Sequence, residues 1–154
     1  MKKTIITFIL AVTALLVTTL HFLPGRRGPT PEPAWELVSN HTTATVYNAV
    51  PGQGNADYLH TASMYTIVPE RIPKERILAM ERTMMAELGI AYGDFVLIEG
   101  AGEYDGLWQV QDTMNRRFAG EHRIDFLVPA TIRTGRWTGV KVYRKTTKNR
   151  QNYV

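Results

Sequence analysis

The sequence has no cysteine in its 154 residues. That excludes disulfides, thiolate metal sites, a cysteine nucleophile and the lipidated cysteine of a bacterial lipoprotein. His41, His60 and His122 lack metal-ligand spacing, so no metal and no other cofactor is expected. Ser63 has no G-x-S-x-G setting, and nothing else marks a nucleophile elbow. The G-x-G in "AVPGQGNADYLH" has none of the rest of a phosphate-binding pattern and reads as a turn. Positive charge is scarce where a nucleic-acid binder would carry it. The net charge is +4, yet residues 35–144 hold 11 Lys and Arg against 13 Asp and Glu, a balance of −2. The excess lies at the ends, in Lys2, Lys3, Arg26 and Arg27 and in Lys145, Lys148 and Arg150. No nucleic-acid partner is expected.

A long uncharged apolar run is present only at the N-terminus, from Thr4 to Leu23, apart from His21. As a helix it would be ~30 Å long, the thickness of a bilayer core. A signal peptide has a shorter apolar part and a small-x-small cleavage site, and none precedes Pro24. Residues 1–23 therefore read as a signal peptide or membrane anchor, with the uncleaved anchor favoured. Lys2, Lys3 and the amino terminus outweigh Arg26 and Arg27, which orients the N-terminus inside and the domain outside. Residues 24–41 begin with four prolines in Pro24–Trp35 and read as a stiff linker. A folded domain is expected over 42–145, and a basic flexible tail over 146–154.

Within the domain, "TTATVYN", "ERILAM", "DFVLIEG", "GLWQVQD", "HRIDFLV" and "WTGVKVYR" alternate apolar and polar residues between Gly, Asp and Pro. Each reads as a short strand. "ERTMMAELG" reads as a short helix closed by Gly89, and "PATIRTG" as one helical turn. No internal repeat is visible. The fold class is mainly β, a six-stranded barrel with one or two short helices, preceded by an N-terminal hydrophobic helix.

Two aspartates stand at the edges of these strands. Alternation puts Asp112 on the face of Trp108 and Val110, at the end of a row that burial would desolvate, raising its pKa. Asp125 lies opposite Ile124, Phe126 and Val128, with Arg123 and Leu127, on the outer wall or in a groove on it. Brought together, two carboxylates push one pKa up, as a general acid requires. Taken singly, Asp112 and Asn115 fit loop residues that accept backbone N–H bonds, and Asp125 fits a partner of Arg123, Arg116 or Arg117. Trp108, Tyr104 and Trp137 offer faces for sugar rings, although at strand spacing such residues are more often core.

The order of these motifs from Thr61 to Arg144 resembles the 3D (three-aspartate) domain of bacterial cell-wall proteins. "TAS" at Thr61–Ser63 matches the family's T-A-S-G, and "YGDFVLIEG" its G-T-x-V-x-I-x-G strand. "VQD" ending at Asp112 and "HRID" ending at Asp125 match the second and third aspartates, and "GVKVYR" the closing strand. "DTMNRR" resembles a variant of the D-x-G-G turn. The sequence departs at Met64 in place of Gly, at Met114-Asn115 in place of Gly-Gly, and at the first aspartate, where Glu81 or Arg82 stands. The resemblance implies a double-psi β-barrel similar to those of membrane-bound lytic transglycosylase A and rare lipoprotein A. It also implies a bacterial cell-envelope location, membrane-anchored or exported, with peptidoglycan or a related glycan as partner. By that resemblance Asp125 is the single acid/base of a lytic transglycosylase, with Asp112 in support, although alternation alone would make Asp112 the desolvated acid. Thr61, Asn115, Arg123 and Trp108 are the expected glycan-binding residues. A non-catalytic peptidoglycan-binding barrel and an envelope or phage structural module are the alternatives.

Overall fold

The computed structural model describes residues 34–53 and 56–146. The expected N-terminal helix and most of the linker and tail lie outside the described residues. Six strands form the domain: β1 (Trp35–Tyr47), β2 (Ile77–Met80), β3 (Phe95–Glu99), β4 (Gly106–Thr113), β5 (Arg123–Leu127) and β6 (Arg136–Lys145). They close into a barrel in the order β1-β5-β2-β4-β3-β6, which leaves no open sheet edge. Two pairs are parallel, β1 with β5 and β2 with β4; the other four are antiparallel.

These pairings contain a two-fold pattern. Exchanging β1 with β4, β2 with β5 and β3 with β6 returns every pair with its sense unchanged. The pairs β2–β5 and β3–β6 map onto themselves and so lie on the pseudo-axis, on two sides of the closed ring. Strand pairing is a backbone pattern, so this symmetry does not require a repeat in the sequence, and none is visible.

Alternation explains the core. Leu78, Met80, Val96, Ile98, Val110, Ile124, Phe126, Val140 and Val142 point inward and are buried. A helix, α2 (Arg82–Leu88), caps the core with Met84, Met85 and Leu88. Its start is fixed by Glu81, whose carboxylate accepts the Thr83 and Met84 N–H groups at 2.9 Å each. Burial alone would raise the Glu81 pKa, but these hydrogen bonds outweigh it and the net shift is downward. Gly89 ends the helix at φ 62°. A shorter helix, α1 (Ile72–Glu75), follows a 3₁₀ turn at Pro69–Arg71.

Three expectations need correction. Strand β1 begins at Trp35, inside the residues expected as linker: the mostly polar stretch Glu36–His41 belongs to it, held by pairing of Trp35 with Lys145 and Leu37 with Tyr143. "PATIRTG" makes a single hydrogen-bonded turn, Ile132 N–H to the Pro129 carbonyl at 2.9 Å, and no helix. Trp108 and Tyr104 are buried, and with half-buried Trp137 they pack around Phe126. The Trp108 indole N–H donates to the Tyr104 carbonyl at 2.7 Å, and Arg76 covers the ring. Trp108 is a core residue with no face open to a sugar.

Candidate functional site

The site begins with a bulge. In β2 and β4, Leu78 pairs with Val110, but the next pair is Ala79 with Asp112, so Gln111 is the extra residue. The bulge reverses the alternation of β4. Asp112 turns from the Trp108–Val110 row to the outer face, beside outward-facing Ala79. The sequence expectation that Asp112 ends a core row is thereby corrected.

On the other flank of β2, Ala79 pairs with Asp125 of β5. The expected outer-wall position of Asp125 is what the register gives, since neighbouring Ile124 and Phe126 are fully buried. One small residue of β2 thus separates two outward carboxylates on the strands that flank it. The end of β1 adds two hydroxyls. Thr45, paired with Asp125, donates to its Oδ1, and the Tyr47 hydroxyl donates to Asp112 Oδ2 at 3.2 Å.

The chain between β1 and α1 folds over this face. Ile67, Ile72, Ile77 and Leu127 form a second apolar cluster, joined by Tyr47, Ala49 and Tyr65. The Ser63 hydroxyl donates to Gln111 Oε1 at 2.6 Å, and the Ala62 N–H donates to Asp112 Oδ1 at 2.9 Å. Met64, which stands where the 3D pattern has glycine, has φ 67° and is 76% exposed. That conformation is the left-handed one that favours glycine. Asn48 anchors the start of the crossing, its buried amide reaching the Val128, Pro129 and Ile132 carbonyls at 3.1, 2.9 and 2.9 Å.

Burial desolvates both carboxyls, and their hydrogen bonds then separate them. Burial raises Asp125 to about 6, opposed by the Arg123 and Arg117 charges and aided by Asp112. Burial also raises Asp112, but the Ala62 and Thr113 N–H groups, Tyr47 and the charge of Arg82 restrain it. Three donors therefore favour the ionised form of Asp112, whereas among the described residues Asp125 accepts from the Thr45 hydroxyl alone. Tyr47 is held well above its ordinary pKa, by burial first and then by both aspartates. It is a neutral donor at any physiological pH.

The other expected residues are placed as follows. Thr61 is buried, its hydroxyl accepting the Tyr65 N–H at 3.1 Å and lying 3.0 Å from Ser63 Oγ. It shapes the turn that presents Ala62 to Asp112 and is not itself presented to a ligand. Asn115 is exposed, and its Oδ1 accepts the Arg117 N–H at 3.0 Å to start the 3₁₀ turn Arg116–Phe118. Arg123 pairs with Glu121 at 3.2 Å and stacks on Phe118, acting on Asp125 through its charge. Among the described residues neither aspartate forms a salt bridge, and no cluster of ligating side chains fits a metal ion. Thr45 and Tyr47 are the residues that sequence reasoning missed. Their signal was the polar outer face of "TTATVYN"; the pairing that brings them to Asp125 and Asp112 had none.

A cavity of about 450 Å³ contains neither carboxylate and lies along β3, β4 and the ends of β1 and β6. No family model matches the chain, and no curated protein matches its sequence.

Proposed function

We propose that the chain is a cell-envelope protein of the lytic transglycosylase type, with a double-psi β-barrel related to the 3D domain. In this reading Asp125 is the acid/base and peptidoglycan glycan strands are the substrate. The observation that carries it is the asymmetric carboxyl pair: two aspartates flank Ala79 in register, one with three donors and one raised to about 6. A carboxyl with a pKa near the working pH can both give and take a proton. The two parallel pairs and the pseudo-two-fold support the double-psi assignment. Glycine geometry at Met64, in the turn touching Asp112, supports the family resemblance.

In the reaction, protonated Asp125 gives its proton to the glycosidic oxygen as the bond from C1 of N-acetylmuramic acid breaks. The resulting carboxylate takes the proton of the C6 hydroxyl as that oxygen bonds to C1. A 1,6-anhydro ring forms, no water is consumed and Asp125 is protonated again. Ionised Asp112 stabilises the positive charge developing at C1 and keeps the exchangeable proton on its neighbour. The N-terminal apolar run holds the domain at the outer side of a membrane.

The test is to incubate the full chain with purified peptidoglycan and seek anhydro-muropeptides by mass spectrometry. Wild type should yield them, and Asp125→Asn should lower the rate at least ~100-fold. Absence of product with retained sedimentation on sacculi would replace this reading with a glycan-binding barrel. Absence of both would leave a structural module.

A further inference from the structure

Arginines gather beside the carboxyl pair. Met80, the last residue of β2, pairs with Thr113 of β4 on one flank and with Ile124 of β5 on the other. Two further hydrogen bonds continue this end of the three strands. The Met114 N–H donates to the Met80 carbonyl at 3.2 Å, and the Glu81 N–H to the Arg123 carbonyl at 3.0 Å. The register therefore brings together Arg82 at the start of α2, Arg123 at the start of β5, and the turn Arg116–Phe118. Asp112 and Asp125 sit one pair further in, on either side of Ala79. Arg123 shares the outward face of Asp125, about 7 Å along the strand.

The glutamates at this end are already engaged. Glu81 caps α2, Glu121 bonds Arg123 at 3.2 Å, and Glu87 lies 3.2 Å from His122. Among the described residues Arg82, Arg116 and Arg117 form no salt bridge, and all three are exposed. Arginine stays ionised at any physiological pH, so these charges persist without a counter-ion. Two of the guanidiniums are held by one ring: Arg123 lies 4.0 Å and Arg117 4.6 Å from the centroid of Phe118. The Arg123 Nε is buried without a hydrogen-bond partner, a donor that lacks an acceptor. The charges of Arg123 and Arg117 reach Asp125 and that of Arg82 reaches Asp112, whereas Arg116 acts on neither. A neutral sugar leaves such charges unanswered, while a carboxylate matches the planar fork of a guanidinium.

We propose that Arg82, Arg117 and Arg123 form an anion site for a carboxylate borne by the sugar next to the scissile bond, so that the substrate is an acidic glycan. The inference rests on the glycan-cleaving reading and adds which glycans the site takes. In peptidoglycan the carboxylate belongs to the lactyl group of a bare strand or to the stem peptide. The test measures binding apart from turnover. The full chain carrying Asp125→Asn is titrated by calorimetry with bare glycan strands, the same strands as lactyl methyl amides, peptide-bearing strands and chitin oligomers. Acidic strands should bind ~10-fold or more tightly than the methyl amides and chitin, with the gap narrowing at high salt. Preference for bare strands assigns the lactyl carboxylate, and preference confined to peptide-bearing strands assigns the stem peptide. Adding Arg82→Gln and Arg117→Gln together should abolish the preference, and Arg116→Gln should keep it. Equal affinity for acidic and neutral strands overturns the anion site, as does an equal loss in Arg116→Gln. Wild-type release of anhydro-muropeptides in that case leaves the cleavage reading standing alone. Acidic preference in a chain whose wild type releases none keeps the anion site and overturns cleavage. Binding of no strand overturns the anion site, and the cleavage reading with it where no product is released.

Discussion

The pairs β2–β5 and β3–β6 occupy equivalent places in the barrel, yet their outer surfaces have opposite fates. Outside β2–β5, Ile77 and Leu127 pack with Tyr65 and Ile67 of the chain that crosses from β1 to α1, and Asp112 accepts its Ala62 N–H. Outside β3–β6, Phe95, Leu97 and Tyr143 have no such cover among the described residues, and Phe95 is half exposed. The core is shared by both sides, so packing does not distinguish them. What differs is water. On the first side burial raises both carboxyls; on the second, apolar side chains stay exposed.

If the covering chain is what makes the two sides differ, loosening it should have the largest effect. Leu127→Ala removes a buried anchor and should cost about 2–5 kcal/mol in urea denaturation. Hydrogen exchange at the Ala62 amide should quicken in parallel. The next largest effect is electrostatic. The folded pKa of Asp125, about 6, lies above its ordinary 3.8, so its stabilising contribution is full below pH ~4 and lost as pH rises through ~6. Asp112 acts in the same direction. Asp125→Asn should flatten this fall and raise stability at pH 7 by about 1–3 kcal/mol, measured by chemical denaturation across pH. Relief of the left-handed backbone at Met64 is smaller: Met64→Gly should stabilise by about 0.5–1 kcal/mol, seen as a higher Tm. On the bare side, Leu107→Ser should change the free energy of unfolding by no more than ~0.5 kcal/mol. A large loss there would show that this side is also packed.

The strands were legible because alternation is a local signal. Ile77–Met80, Phe95–Glu99 and Arg123–Leu127 lie within the segments expected for them, and the Glu81–Gly89 helix carries its own start and stop. The start of β1 was not legible, because mostly polar Glu36–His41 is a strand only through pairing with β6, about a hundred residues away. The bulge at Gln111 was equally hidden, since one extra residue reverses a face without changing composition. It accounts for the conflict over which aspartate is the acid. Alternation read through the bulge made Asp112 a core residue, whereas the three donors that mark it as the ionised partner come from three separate places in the chain. Trp108 reads as core more readily than as a sugar platform, and its partners bear the core reading out.

The side-by-side exit of the chain at Trp35 and Lys145 also sets how the domain bears load. Tension applied between its two ends acts across the hydrogen bonds joining β1 and β6, which in an antiparallel pair stand perpendicular to the strands. These bonds break in sequence, as a zipper opens, and never share the force as a sheared sheet would. A domain tethered at its N-terminal end and pulled at the other would yield first at Trp35–Lys145. The carboxylates, held by the far end of β1 at Thr45 and Tyr47, would be among the last groups to feel the strain.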